Sequence, residues 1–211
     1  MGRRKEEPAQ VHRARIAAAA GEMFETKGVQ ATTMDDIAAA AGYSKATLYV
    51  YFRDKEEMVN LLALKSMELL GEHLEAALGK CQDTRSRYDA ACRELVRYQA
   101  ETPYYFETVL GQIDIAVEHD PALRETFERG ETLNEVMGQF FREGIEEGAL
   151  RADLEQPQAG LFLWAQLSGV ILMAARKKAY IEQALGLIAD AFLREGFDMI
   201  YRSIERRKDH G

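Results

Sequence analysis

The chain has 211 residues, of which 47% are hydrophobic, with four prolines, two cysteines and a formal charge of −8. That composition supports one or two packed domains and excludes a disordered tract, a solenoid and a disulfide scaffold. No apolar leader follows MGRRKEEPAQ, and the run Leu161 to Met173 falls short of the ~20 residues a membrane span needs, so a cytoplasmic chain without a membrane partner is expected.

The charge is unevenly distributed. The first 55 residues hold nine Lys or Arg against seven Asp or Glu, a net +2, which leaves −10 for the remainder. A basic head on an acidic body approaches phosphate with the head and limits sticking elsewhere.

In chain order, Val11, Ile16, Ala20, Met23 and Phe24 keep one helical face apolar, and Gly28 stops that first helix. Thr32 and Thr33 offer an N-cap to a second helix, with Asp35 and Asp36 in its positive first turn and Ile37, Ala38 and Ala41 on its inner face. Gly42 ends it, and Ser44 caps a third helix from Lys45 to Phe52. Asp54 with Glu57 three positions later is a capping-box pattern, opening a fourth helix whose apolar stripe runs from Met58 toward Leu78. Further helices are expected over 86–101, 103–117, 121–147, 156–178 and 181–207, with Pro103, Pro121 and Pro157 near three of the starts. No alternating β pattern competes, so the chain is all-α.

A helix-turn-helix needs a small residue where its helices touch, a turn residue tolerant of positive φ, and an apolar anchor on the second helix. Ala38, Gly42 and Leu48 meet this demand, and Phe24, Ile37 and Phe52 are placed to close the small core. The third helix then presents Ser44, Lys45, Thr47, Tyr49 and Tyr51, hydroxyls and a cation suited to phosphates and base edges. One of the tyrosines packing on the core is the competing reading.

The stretch TTMDDIAAAAGYSKATLYVYFRDKEEM, residues 32–58, resembles the DNA-binding signature of the TetR family. The resemblance covers about residues 10–60; beyond them only length and helical layout are similar. It implies an N-terminal three-helix helix-turn-helix domain, residues 1–55, and a C-terminal helical ligand-binding and dimerisation domain, residues 56–211. It implies as partners double-stranded operator DNA, a second copy of the chain and a small-molecule effector that releases the DNA. Carried over by position, Thr33, Ser44, Tyr49, Tyr51 and Lys55 are expected at phosphates, and Tyr43, Lys45, Ala46 and Thr47 at bases. Ala46 stands where the family often has glycine, and Val50 where a tyrosine or polar residue is common, so no operator sequence carries over.

In the body, aromatic and sulfur side chains at helical spacing are first of all core. A subset, Phe106, Leu110, Met137, Phe141 and Trp164, is expected to line an apolar cavity, with Asp114 able to orient a ligand or favour a cation. Gln166, inside the most apolar helix, is a second candidate for a buried polar group, against a place across the dimer seam. Leu161, Leu163, Leu167, Val170 and Ile171, followed by Ile181, Leu185, Phe192, Phe197, Ile200 and Ile204, make the last two predicted helices apolar on more than one face, which points to a four-helix dimer seam.

Cys81 and Cys92 lack CxxC spacing, and His73 and His119 adjoin acidic residues that do not share their helical face, so no metal is expected. No GxSxG, HExxH, P-loop or dinucleotide fingerprint occurs, so neither enzyme activity nor a cofactor is expected. Two alternatives stay open: a DNA binder controlled by a protein partner, marked by an exposed apolar patch and no cavity, and a helical enzyme with an added head, marked by carboxylates of perturbed pKa in a cleft.

Overall fold

Helices account for the regular structure of the chain, whose computed structural model describes residues 8–79, 81–110 and 121–206, with backbone alone at 121–123. In order they are α1 (Ala9–Lys27), α2 (Met34–Ala41), α3 (Lys45–Tyr51), α4 (Lys55–Leu78), α5 (Thr84–Glu101), α6 (Pro103–Val109), α7 (Pro121–Glu146), α8 (Gln156–Arg176), α9 (Lys178–Leu185) and α10 (Ala189–Ile204). Among the described residues the sole β feature is an isolated bridge between Leu150 and Glu205. The chain divides into two units, one of residues 1–66 with 107–127 and one of residues 67–106 with 128–211, so a boundary falls inside α4.

In the first unit α1 packs on α2 and α3. Ile16, Ala20 and Phe24 of α1, Ile37 and Ala38 of α2, Leu48 of α3 and Phe52 just after it are all buried, as the sequence pattern requires. Local chemistry sets the helix ends. The Thr33 hydroxyl accepts the Asp36 amide at 3.2 Å while Asp36 Oδ2 accepts the Thr33 amide at 2.9 Å, a reciprocal capping box. Gly42 leaves α2 in the left-handed region at φ 73°, where the Tyr43 amide reaches back to the Ala38 carbonyl at 2.9 Å. Ser44 then caps α3 by accepting the Thr47 amide at 3.1 Å. The expected box at α4 forms in modified shape: Asp54 accepts the Glu57 amide at 2.8 Å, but Glu57 returns the bond to Arg53, at 2.7 Å.

The second unit is built on α8, which packs against α5, α9 and α10. Leu163, Leu167 and Ile171 of α8 share its core with Tyr88, Leu95 and Tyr98 of α5 and with Ile200, Tyr201 and Ile204 of α10. One end is tied by polar bonds: Glu147 at the close of α7 accepts the Thr84 amide at 2.9 Å and pairs with Arg87, whose guanidinium also meets Glu143 at 3.1 Å. The Arg206 amide donates to the Ala149 carbonyl at 2.9 Å, and the Arg151 amide to Ile204 at 3.1 Å, so the end of α10 is joined to the turn after α7. Cys92 is buried in α5, and Cys81 is half-buried ahead of that helix.

One sequence expectation is corrected. The helix expected over 181–207 is two, α9 and α10, because Gly186 takes a left-handed conformation at φ 67° and Ile188 is extended. Of the apolar residues expected at a seam, Leu163, Leu167, Ile171, Ile181, Ile200 and Ile204 are buried within the chain, Val170, Phe192 and Phe197 are half-buried and Leu161 and Leu185 are exposed; Phe162, Met173, Ile188 and Met199 add further exposed apolar side chains. The expected helix over 103–117 is described only as far as Val109.

Candidate nucleic-acid interface and effector region

Leu48 is the one fully buried side chain of α3, so the rest of this short helix is presented outward around that anchor. Ser44, Lys45 and Ala46 are exposed, Thr47 is half-buried, and Tyr49 and Val50 stand 51% and 76% exposed. An apolar valine left so open on a helix of hydroxyls and one cation, without an acidic residue, is suited to a surface that meets a partner. Lys45 Nζ pairs with Asp35 of α2 at 2.7 Å, and that carboxylate holds its ammonium proton more firmly. Thr33 is exposed at the mouth of α2, its hydroxyl directed to Asp36 at 2.7 Å. Lys27 first, then Thr33, keep the Asp36 carboxyl well below the usual carboxylate range.

Tyr43 precedes α3 and Tyr51 closes it, both half-buried, and here the structure adds residues of α1 that the sequence did not single out. The Tyr43 hydroxyl meets His12 Nδ1 at 2.6 Å and Arg15 at 3.0 Å. Arg13 donates to the Tyr51 carbonyl, pairs with Glu57 at 2.9 Å and lies 4.2 Å over the Phe52 ring. The signal for them was faint: His12 and Arg15 stand one turn apart on α1, a spacing shared by any polar helical stripe. Lys55 is half-buried, its ammonium donating to the carbonyls of Val29 at 2.6 Å and Thr32 at 2.9 Å, so it braces the turn before α2.

In the body, Phe106 and Trp164 come together with ring centroids 5.8 Å apart, and Phe106 also meets Tyr98 at 5.8 Å. Phe106 and Phe141 are completely buried, the latter against Phe140, while Trp164 and Met137 are half-buried. Met137 belongs to a groove of about 330 Å³ between α7 and α8, with Gly160 and Leu161. Leu110 falls in the first unit and is 36% exposed; Asp114 lies outside the described residues. Gln166 is exposed and donates to the Phe162 carbonyl of its own helix at 3.1 Å, which removes it from the buried polar candidates. A larger groove of about 510 Å³ runs between α5 and α10, lined by Cys92, Arg93, Val96, Leu193 and Phe197 among others. Among the described residues no cluster of three or more His, Cys, Asp or Glu is placed to hold a metal ion.

Residues 16–62 match the family described as bacterial regulatory proteins, tetR family. The chain is 42% identical over 77 residues to the transcriptional regulator TtgR of Pseudomonas putida, a match covering 36% of each chain. It is 30% identical over 145 residues to the transcriptional repressor KstR2 of Mycobacterium tuberculosis, covering 64% of this chain and 68% of that one. In structure it is similar to the TetR-family regulator PfmR of Thermus thermophilus, with a TM-score of 0.66 at 26% identity over 89% of this chain and 97% of that one. A tight pair of helices turned by a left-handed glycine, an outward third helix of hydroxyls and a helical body thus coincide with these likenesses, and the chain belongs to the TetR family of bacterial regulatory proteins.

Proposed function

We propose that this chain is a cytoplasmic, dimeric DNA-binding regulator, a repressor released from its operator by a small apolar or amphipathic effector, and not an enzyme. The observation that carries it is the outward face of α3, held by the buried Leu48 and by the turn at Gly42. Within it Tyr43, Lys45, Ala46 and Thr47 read base edges, and Thr33, Ser44, Tyr49 and Tyr51 meet phosphates. Lys55 acts at the backbone too, and because it also braces Val29 and Thr32 its loss weakens the head itself. The names of the relatives, a regulator and a repressor, support this reading.

The head, residues 1–55, reads DNA, and residues 56–211 bind effector and pair two copies. Pairing uses the outward apolar residues of α8, Leu161, Phe162 and Met173, beside small Ala165 and Gly169 that let a second helix approach. A symmetric dimer of this kind places two recognition helices about one DNA turn apart, ~34–36 Å. Although α8 is also long and apolar enough to cross a membrane by composition, a helix seam explains its mixture of buried and open faces.

The effector is expected to touch the Phe106–Trp164 pair, with Met137 and Phe141 as further candidates. It acts by binding more tightly to the state that does not hold DNA, and operator DNA must weaken effector binding by the same factor, typically ~5–150-fold. Binding of the full chain to a random duplex pool, read by gel shift and sequencing, tests the first half. Lys45→Ala is expected to change the selected bases; a chain that retains no duplex, or a variant with the wild-type selection, overturns the assignment of α3. Trp164 is the chain's one tryptophan, so its fluorescence tests the second half: compounds that change it must also lower operator affinity.

A further inference from the structure

The contacts from α1 decide more than where Tyr43 points. Its hydroxyl is 2.6 Å from His12 Nδ1 and accepts a hydrogen bond from Arg15 at 3.0 Å. The His12 ring meets Tyr43 edge-on at 5.8 Å and stacks on Tyr51 at 5.3 Å with 29° between the planes. One imidazole therefore steadies the residues at both ends of α3.

A phenol has one proton to donate and two lone pairs to accept with. Arg15, a donor only, occupies one lone pair. A hydroxyl polarised by an incoming guanidinium becomes a stronger donor in turn, since hydrogen bonds in a chain reinforce one another. With the His12 ring proton on Nε2, the hydroxyl proton is directed to Nδ1, and what remains on the oxygen is a single lone pair. We propose that His12 sets the hydrogen-bond polarity of Tyr43, making this tyrosine an acceptor toward DNA that selects the exocyclic amine of adenine or cytosine on the contacted strand. The proposal rests on reading α2 and α3 as the DNA-binding pair. Guanine O6 and N7, thymine O4 and the phosphate oxygens are all acceptors. An oxygen without a free proton gives them nothing. His12 is thus a positioning residue: it acts on base preference through Tyr43 without itself touching DNA.

The test selects duplexes from a random pool with the full chain, comparing wild type with His12→Phe, His12→Gln, Tyr43→Phe and the double variant H12F/Y43F. Phenylalanine keeps a ring to stack on Tyr51 but removes the acceptor, which frees the Tyr43 proton; glutamine keeps an acceptor. Wild type is expected to prefer adenine or cytosine at one position of each half-site. His12→Phe shifts that position toward guanine or thymine by roughly five- to tenfold, the lower part of the range for a base-edge contact. His12→Gln restores the preference, and in the Tyr43→Phe background His12→Phe adds nothing. A His12→Phe selection that superimposes on wild type, or a shift that persists without the Tyr43 hydroxyl, overturns the proposal. If His12→Phe fails to fold, Tyr43→Phe decides: it must erase the preference for adenine or cytosine, and its retention overturns the assignment. A wild type that binds duplexes without that preference defeats this inference alone. One that selects no duplex brings down the DNA-binding reading as well.

Discussion

The helix pair α2–α3 and the last three helices solve the same problem, ending and packing helices, by different means. In the first, α2 and α3 begin at side-chain caps from Thr33 and Ser44, and the turn between them rests on Gly42. In the second, α8, α9 and α10 begin without a side-chain cap bond and hold their places through packing, with Phe162 66% and Met199 71% exposed. A reading head must offer a fixed surface, so it benefits from locally determined geometry. A body that pairs and responds, as proposed for this one, needs apolar surface whose cover comes from outside the chain.

Removing the head's anchor gives the largest effect expected from this contrast. Leu48→Ala, at a fully buried site, is expected to cost about 2–5 kcal/mol and to abolish duplex binding. Hydrogen exchange that shows protection lost in residues 9–52 and kept in α8 and α10 sharpens the contrast; uniform loss breaks it.

A change on the body's open face works the other way. Phe162→Asp leaves the folded protomer intact, because that side chain stands in solvent, but places a charge in the seam. Sedimentation is expected to show dimer for wild type and monomer for the variant at micromolar concentration, with operator affinity lower by at least about tenfold through lost bivalency. An unchanged dimer removes Phe162 from the seam.

The smallest effect concerns acid. Asp36 is held below its ordinary value of 3.8, first by Lys27 and then by Thr33. A depressed carboxylate contributes stability that is present above its unfolded pKa and is lost as pH falls through the folded one. The head is therefore expected to lose stability as pH drops below about 4, and Asp36→Asn to flatten that dependence. Melting curves between pH 3 and 7 for the two proteins check it, and parallel curves reject it.

The same contrast explains what the sequence made legible. The caps at Thr33 and Ser44, the glycine turn and the buried set Phe24, Ile37, Ala38, Leu48 and Phe52 follow from residues a few positions apart, and they stand as read. What escaped depends on distance along the chain: His12 and Arg15 meet Tyr43 across 31 and 28 residues, and Lys55 reaches Val29 across 26. In the body, an apolar residue announces that it will be covered but not by what. Ile200 and Ile204 are covered within the chain, while Phe162, in a helix just as apolar, is not. The break at Gly186 also escaped, because a glycine near a helix end and one that separates two helices look alike until its φ is known.

The unequal burial of the two thiols has a practical side. Burial pushes the Cys92 thiol up to about 12, so at neutral pH it stays protonated and lacks the nucleophilic thiolate form. Cys81 is half-buried on the wall of a groove beside Leu78 and Phe140. A maleimide reagent on the natural chain therefore marks one position per protomer without any engineered cysteine. In the proposed symmetric pair two such marks make a built-in ruler, and the spacing between spin labels becomes a direct reading of how the two copies stand, with and without duplex DNA.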